Sequence, residues 1–465
     1  MTRHVGGVVT REKAVVIGGS LGGLLAARAL ADGQRRIVIV ERDEFADDTL
    51  PRQHVPQGHH AHALLAAGAE SLSRMFPGII EELLTAGAVR ASIADGIWHH
   101  GGALRVRYQS RIDPMGFSRP LLERAVRRRV VALPGVSVAT GVTVSGLTGD
   151  AGRIRGVVLQ RGGRRETVDA DLVVDCTGRA ARSLDWLAEM GHELPDVSEV
   201  RADLGYSTVI VPRRPGDLGG ADFLVALQPP SGLRGAFVVP IEARRWIVSL
   251  TGWHGDHPGS DYASLLEFAR SLPVPEVAEL LERHGPMRPR THRMLSSQWR
   301  HVERLRRPPS GHLLLGDSIC SFNPIYGQGM SSAALQADAL AMAVRRHGLA
   351  GERLARVFYR RAARIVSAAW AIAVTSDFAL PQTTGPKPVG ADMVNRFMIQ
   401  VLRACHVSPE IAEQMYRVQN LQASPVSLMR PDRVVRTLLA ARRSPAVRGV
   451  APEAETPLVD SAVTA

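Results

Sequence analysis

Two periods of hydrophobic and polar residues divide this chain. Residues 14–17 (AVVI) form a short β-branched run, as a strand covered on both faces requires, and GGSLGG follows over 18–23. A 3.6-residue period then places Leu21, Leu25 and Ala29 on one stripe, which predicts a helix over 21–31 that Gly33 stops. Residues 37–40 (IVIV) repeat the buried-strand pattern and end at Glu41. Strand, glycine turn, helix, strand and acid make a βαβ unit on a parallel sheet.

Further along, 51–62 reads as a polar loop, and 63–76 and 79–86 as helices. Strands flank a Gly101-Gly102 turn within 97–108. A helix over 118–131 has Pro120 in its first turn. Strands are expected over 136–147, 154–160 and 167–174, and the last runs into the turn Asp175-Cys176-Thr177-Gly178. From 204 to 253 the pattern is mostly β, with a hairpin pairing 236–240 with 246–250. Helices over 262–272 and 275–284 follow, then a strand at 312–315 and a helix at 328–346. The remainder to about 443 is helical, and 444–465 reads as a flexible tail. No internal repeat is visible.

Composition narrows the function. The net charge of +12 invites a nucleic-acid reading, yet the basic residues are nearly all Arg, Lys13 and Lys387 being the exceptions. No nucleic-acid-binding module accompanies them, so no nucleic-acid partner is expected. Cys176, Cys320 and Cys405 share no CxxC spacing, which argues against a disulfide frame or a thiolate zinc site. No apolar run approaches the about 18 residues of a spanning helix. The first residues carry no apolar signal core, and a cytoplasmic location is the expectation.

Two glycine turns carry the chemistry. A tight strand-to-helix turn lets backbone N–H groups at a helix N-terminus face a pyrophosphate. Here Gly18, Gly19, Ser20, Gly22 and Gly23 supply the turn, with Ser20 standing where the dinucleotide pattern has its middle glycine. Glu41, with Arg42 beside it, follows at the spacing where a carboxylate accepts from adenosine ribose hydroxyls. The second turn lies in GHLLLGDSICSFNPIYGQGMSSAAL, 311–335. Asp317, at the end of a strand, suits a ribityl or ribose hydroxyl. Pro324, Gly327 and Gly329 let backbone approach a flat ring, and the helix opening at Met330 favours negative charge on a reduced flavin.

With these segments in order, the chain resembles the FAD-dependent monooxygenases of the aromatic-hydroxylase and squalene-epoxidase type. The resemblance rests on GGSLGGL with Glu41, on DLVVDCTGRAARS, and on GDSICSFNPIYGQGM, and it covers most of 12–345. It implies an α/β fold: an FAD-binding Rossmann-like domain of the glutathione-reductase type, an interleaved β-rich substrate domain and a C-terminal helical region. The boundaries expected are 11–75, 115–190 and 301–346 for FAD; 76–114 and 191–300 for substrate; and 347–443 for the helices. It further implies that Asp175 and Gly178, with Arg182 downstream, lie near FAD and the nicotinamide path, that Arg119 contacts FAD, and that Asp317 holds the ribityl chain. The helices over 393–439 would cap the pocket or make a dimer contact.

The loop PRxxxPQGxHxHxLL, 51–65, is closer still to actinobacterial epoxidases of polyether-ionophore biosynthesis, which act on a linear polyene. It implies that Arg52 and His62 lie near the cofactor. The cluster of His54, His59, His60 and His62 lacks a carboxylate or thiolate at a ligand spacing, so no metal is expected. NAD(P)H would reduce FAD, and O2 would add to give a flavin C4a-hydroperoxide. Transfer of that oxygen to an isolated alkene needs no catalytic protein residue.

An apolar polyene or an aromatic small molecule is the substrate class, and a separate flavin reductase is an open partner. Phenol hydroxylation is the alternative; it needs a base, for which Tyr206 and Tyr326 are the pocket candidates. A C=C reductase on the same FAD domain is the alternative from another class. A flavin halogenase is disfavoured: no lysine lies between Lys13 and Lys387, and no two tryptophans stand two apart.

Overall fold

The computed structural model describes residues 3–5, 8–10, 12–45, 51–52 and 54–445. Its centre is a five-stranded, all-parallel sheet. The strands run in the order His312–Leu314, Leu172–Asp175, Lys13–Ile17, Arg36–Val40, Val136–Ala139. Period-2 alternation sends successive side chains to opposite faces. Ala14 and Val16 therefore join the core beneath the helices Leu21–Leu30, Arg119–Val131, Gly329–His347 and Leu354–Asp377. Val15 and Ile17 instead pack against a three-stranded antiparallel sheet, Thr143–Gly149, Ile154–Arg161 and Arg164–Asp169, and the helix Ser183–Glu189. Cover on both faces is why this strand is apolar throughout.

The second large sheet has eight strands. Their order is Cys320–Ser321, Arg290–Arg300, Val197–Pro212, Arg245–Trp253, Arg234–Ile241, Leu224–Leu227, Ile97–His100, Ala103–Leu104. One face is covered by the helices Tyr262–Arg270 and Glu276–His284, through Val209, Val211, Trp246 and Val248 against Leu265, Phe268 and Leu281. The other face meets the C-terminal part of the chain. There Phe223 and Val225 share a core with Val401 and Ile411, and Tyr206 and Trp253 share one with Leu380.

The structure departs from the sequence reading at several strands. Arg290–Arg300 (RTHRMLSSQWR) shows no apolar alternation, yet it pairs with Val197–Pro212 along most of its length. Backbone bonds hold it, and Ser296 and Ser297 are buried. The strand expected from 204 begins at Val197 and passes through a bulge between Arg201 and Leu204. The run expected over 167–174 is two strands, because the chain leaves the three-stranded sheet after Asp169 and enters the parallel sheet at Leu172. After Leu104 no strand continues; the Arg105 and Val106 N–H groups donate to the Trp98 and Cys405 carbonyls. At the C-terminus, Ser444 is buried and its Oγ lies 2.9 Å from His406 Nδ1, so this residue of the expected tail is docked. Residues 446–465 of that tail lie outside the described residues. Among the described residues no helix is long and apolar enough to cross a membrane.

One close helix crossing fixes how the 51–65 loop meets the sheet. At Gly68, in the helix Ala66–Met75, a Cβ would stand 2.5 Å from Ser331 Oγ and 2.7 Å from Ser331 Cα in the helix Gly329–His347. The Leu65 N–H donates to the same Oγ at 2.9 Å. Gly68→Leu should separate these helices and lower stability by about 1–3 kcal/mol, the usual cost of overpacking. Urea unfolding checks this; an unchanged midpoint would show that the crossing is not tight.

Candidate functional site

Three neighbouring strands of the parallel sheet deliver their carboxyl ends to one place. After Lys13–Ile17 the chain turns at Gly18, whose φ of +98° favours glycine. A Cβ there would stand 2.8 Å from the Cys176 carbonyl oxygen, and one on Gly23 would stand 1.8 Å from the Gly18 oxygen. The turn thus presses against the end of the next strand, Leu172–Asp175. Asp175 is fully buried, and its oxygens accept from the Thr177 N–H (2.7 Å), the Thr177 hydroxyl (2.6 Å) and the Ser183 N–H (3.2 Å). It shapes the turn and does not face the cleft.

Beyond the third strand, His312–Leu314, stands Asp317. A Cβ on Gly178 would lie 4.0 Å from its Cβ, and one on Gly329 would lie 3.8 Å from its Oδ1. Asp317 is exposed, yet protein crowds around its carboxyl. That enclosure pushes its pKa up, against the pull of Arg119 and Arg179.

At the far end of the cleft, Asn323 caps the turn Pro324–Tyr326 by accepting from the Ile325 N–H at 3.1 Å. Gly327 follows in the left-handed region, with its would-be Cβ 2.8 Å from Ala63 Cβ, and Gly329 opens the helix to His347. Met330 is buried in the helix-side core, so only its backbone faces this end. Gln328 is buried, with no partner for its Oε1.

The first glycine turn is wrapped in a buried charge cluster. Glu41 accepts from the Gly19 N–H at 2.7 Å and the Asp43 N–H at 3.0 Å, and pairs with Arg52 at 2.7 Å. Arg52 Nε donates to Glu123 at 2.9 Å. Ser20, the N-cap of Leu21–Leu30, donates to Glu123 at 3.0 Å and accepts from Arg119 at 3.0 Å. Burial alone would lower the Arg52 pKa; Glu123, Glu41 and Asp43 outweigh it and raise it. Removing one partner from such a cluster leaves a buried charge uncompensated, at a cost of about 3–5 kcal/mol.

Arg42 points outward and is exposed. His62 lies at the cleft with Nδ1 2.9 Å from the His60 carbonyl, which places the hydrogen on Nδ1 and leaves Nε2 an acceptor. Burial and Arg119 push its pKa down to about 3, so it is neutral at ordinary pH. Sequence reasoning named Ser20 and Arg52 but not Glu123, the acid that joins them.

Tyr206 and Tyr326 come together with a residue the sequence reading missed. Tyr326 donates to Asp377 Oδ1 at 3.0 Å, and Asn323 Nδ2 donates to the same oxygen at 2.7 Å. Asp377 is fully buried, and neither its Oδ2 nor the buried Tyr206 hydroxyl has a partner. Burial pushes the Asp377 pKa up to about 7, against the two donors. His60 and His292 place their rings 5.6 Å and 5.7 Å along this chain of contacts, from Tyr206 to His60 and from His60 to His292. The one signal in the sequence was a single acid within an otherwise uncharged 365–380. Among the described residues no group of His, Cys, Asp or Glu is placed to hold a metal.

Comparison with known proteins adds to this geometry. The family described as FAD dependent oxidoreductase matches residues 14–204. "Protein Rv3254" of Mycobacterium tuberculosis is 30% identical over 437 residues, which is 90% of each chain. Among solved structures, a 2-methyl-3-hydroxypyridine-5-carboxylic acid oxygenase is similar with a TM-score of 0.60 at 19% identity, covering 80% of this chain and 91% of its own. The flavin-dependent brominase Bmp2 has a TM-score of 0.64 at 14% identity, covering 93% and 99%. PqsL of Pseudomonas aeruginosa, a probable FAD-dependent monooxygenase, has 0.58 at 20%, covering 80% and 98%. These likenesses establish the fold.

The buried titratable groups oppose one another in pH. His60, pushed down to about 4 by burial and by His292 and His59, and His62 stay neutral in the fold while an unfolded histidine protonates near ~6.5. They therefore weaken the fold as pH falls below that value. Asp377 keeps its proton to about 7, whereas an unfolded aspartate loses it near ~3.9, so it weakens the fold as pH rises between those values. Asp377→Asn removes the opposing effect. Its stability should drop more steeply from pH 7 to 5 than the parent's, by up to about 1.4 kcal/mol per pH unit. Thermal unfolding across that range checks it; equal slopes would mean that Asp377 is ionised in the fold.

Proposed function

The chain belongs to the FAD-dependent oxidoreductases, in the family of mycobacterial Rv3254, and on that premise we propose a monooxygenase that epoxidises alkenes of an apolar polyketide or terpenoid with O2 and NAD(P)H. The residues present fit FAD. No side chain caps the N-terminus of Leu21–Leu30, so its first N–H groups are left for a ligand, and Asp317 keeps an accessible carboxylate in an enclosed cleft. Bound FAD supplies the oxygen-activating chemistry.

In this reading Gly18, Gly19, Ser20, Gly22 and Gly23, with Arg52 and Arg119, take the pyrophosphate half. Asp317 accepts from cofactor hydroxyls, with Gly178 and His62 alongside. Pro324, Gly327, Gly329 and the Met330 backbone face the ring. Glu41 reaches the adenosine only by exchanging one of its present donors, and Asp175 acts through the turn it holds. The three-segment 11–75, 115–190 and 301–346 unit carries FAD, and 76–114 with 191–300 carries substrate.

The observation that carries the proposal is the apolar cluster of Tyr206, Trp253 and Leu380, with Ile325 of the second glycine turn packed against it. Such an apolar surface excludes water, and epoxidation of an alkene requires no base. Hydroxylation of a phenol is the second reading, and Asp377 favours it. A phenolic proton would pass through the Tyr326 hydroxyl to that carboxylate. The hydroxypyridine oxygenase of similar fold acts on a ring of this kind by its name.

Incubation with NADPH, O2 and either a linear polyene or a phenol decides between them. A polyene product heavier by one oxygen, with Asp377→Asn retaining turnover, supports epoxidation. A hydroxylated phenol, with Asp377→Asn losing the rise in rate across about pH 7, supports the second reading. A product heavier by two hydrogens, formed without O2, overturns both in favour of a reductase. Asp317→Ala should weaken FAD binding about 10- to 100-fold, the worth of a hydrogen bond to a charged group, measured by flavin fluorescence. Full FAD occupancy at equal affinity would remove Asp317 from the site.

A further inference from the structure

A second pocket lies away from the cofactor cleft. Tyr206 lies on the strand Val197–Pro212, and six residues further along, at roughly 3.3 Å each, that strand reaches the sheet's opposite end. There Arg213, Arg214, Asp217, Arg244 and Trp246, with Pro215, Gly216, Gly220 and Ala221, line a half-open pocket of about 330 Å³. Small-molecule pockets begin at about 300 Å³.

The charge in this pocket is one-sided. Asp217 is buried, and its oxygens are occupied by the Arg214 N–H (2.7 Å), Trp246 Nε1 (3.0 Å) and Arg283 (2.7 Å). Arg283 answers that carboxylate. Among the described residues no carboxylate stands in ion-pair range of Arg213, Arg214 or Arg244. The Arg213 guanidinium carbon sits 4.7 Å from the centroid of the buried Trp246 ring, a cation–π contact that holds it at the wall.

The backbone is equally deliberate. Leu218, Ala243 and Arg244 are all left-handed, with φ of +51°, +60° and +51°. Turns of this kind favour Asn-Gly, and filling one with Ala243-Arg244 costs free energy. That cost is carried where it sets Arg244 at the rim.

We propose that this pocket binds an organic phosphate, with one or two phosphate groups held by Arg213, Arg214 and Arg244. Guanidinium forks match phosphate oxygens in pairs, and three uncompensated cations call for a multiply charged anion. Inorganic phosphate, only a few times the ~30 Å³ share of a water, leaves most of the void empty, and the remaining room takes the organic part. A free nucleotide and the phosphorylated half of NADPH share this chemistry.

The test uses the full chain loaded with FAD, so that ADP finds the cofactor cleft closed. Calorimetric titration is run at about 0.15 M salt, where long-range attraction to the basic chain is screened. ADP should bind once per chain, more tightly than pyrophosphate, and adenosine should not bind. The double variant Arg213→Ala/Arg244→Ala should weaken ADP at least tenfold with FAD content unchanged. Displacement of ADP by NADPH assigns the site to the reductant, and persistence of ADP against NADPH assigns it to a free nucleotide. No ADP binding, equal affinity in the double variant, or pyrophosphate binding as tightly as ADP would each overturn the proposal. Loss of FAD itself would instead strike the cofactor reading, which this pocket does not need.

Discussion

Three adjacent parallel strands end at one edge, and the cofactor site proposed for this protein depends on that. His312–Leu314, Leu172–Asp175 and Lys13–Ile17 lie side by side although they are far apart in sequence. Because they are parallel, the segments that follow them, which hold Asp317, Gly178 and Gly18, emerge together. The contact is tight enough that a Cβ on Gly18 would meet the Cys176 carbonyl. Antiparallel pairing of any one strand would send its loop to the opposite edge and leave the cleft incomplete.

Charge organises the near end of that cleft. Glu41, Arg52, Glu123, Ser20 and Arg119 form one connected set around the first glycine turn. Two acids hold Arg52, whose buried Nη2 is left without a hydrogen-bond partner, while the Arg119 side chain reaches Ser20 at the mouth of the helix. The set, two arginines balanced by two acids, holds the Arg119 guanidinium beside an N-terminus that already favours anions. The same charges, exposed on a flexible loop, would be screened by salt; buried, they keep their strength.

The far end works differently. Here the large sheet and the helix Leu354–Asp377 enclose a polar chain of Tyr326, Asn323 and Asp377, beside Tyr206 and His60. Its members are neutral or protonated because the surroundings are poor in water. An apolar wall and a carboxyl that keeps its proton are two consequences of one dry interior. The basic pocket at the opposite end of the sheet is open by contrast, with Arg214 and Arg244 exposed.

Sequence alone determined the short-range features. The β-branched run at 14–17, the glycine turn and the stripe of Leu21, Leu25 and Ala29 each lie within a few residues of chain, where sterics and periodicity act directly. Both glycine turns and Asp317 were legible for that reason. The strand Arg290–Arg300 was not, because backbone pairing with a distant strand holds a polar sequence that no periodicity marks. Glu123 and Asp377 were illegible as well. Each looks like any helical acid until packing removes its water and brings Arg52 to one and Tyr326 to the other. Local geometry is written in neighbouring residues, but desolvation and long-range pairing exist only once the chain has closed on itself.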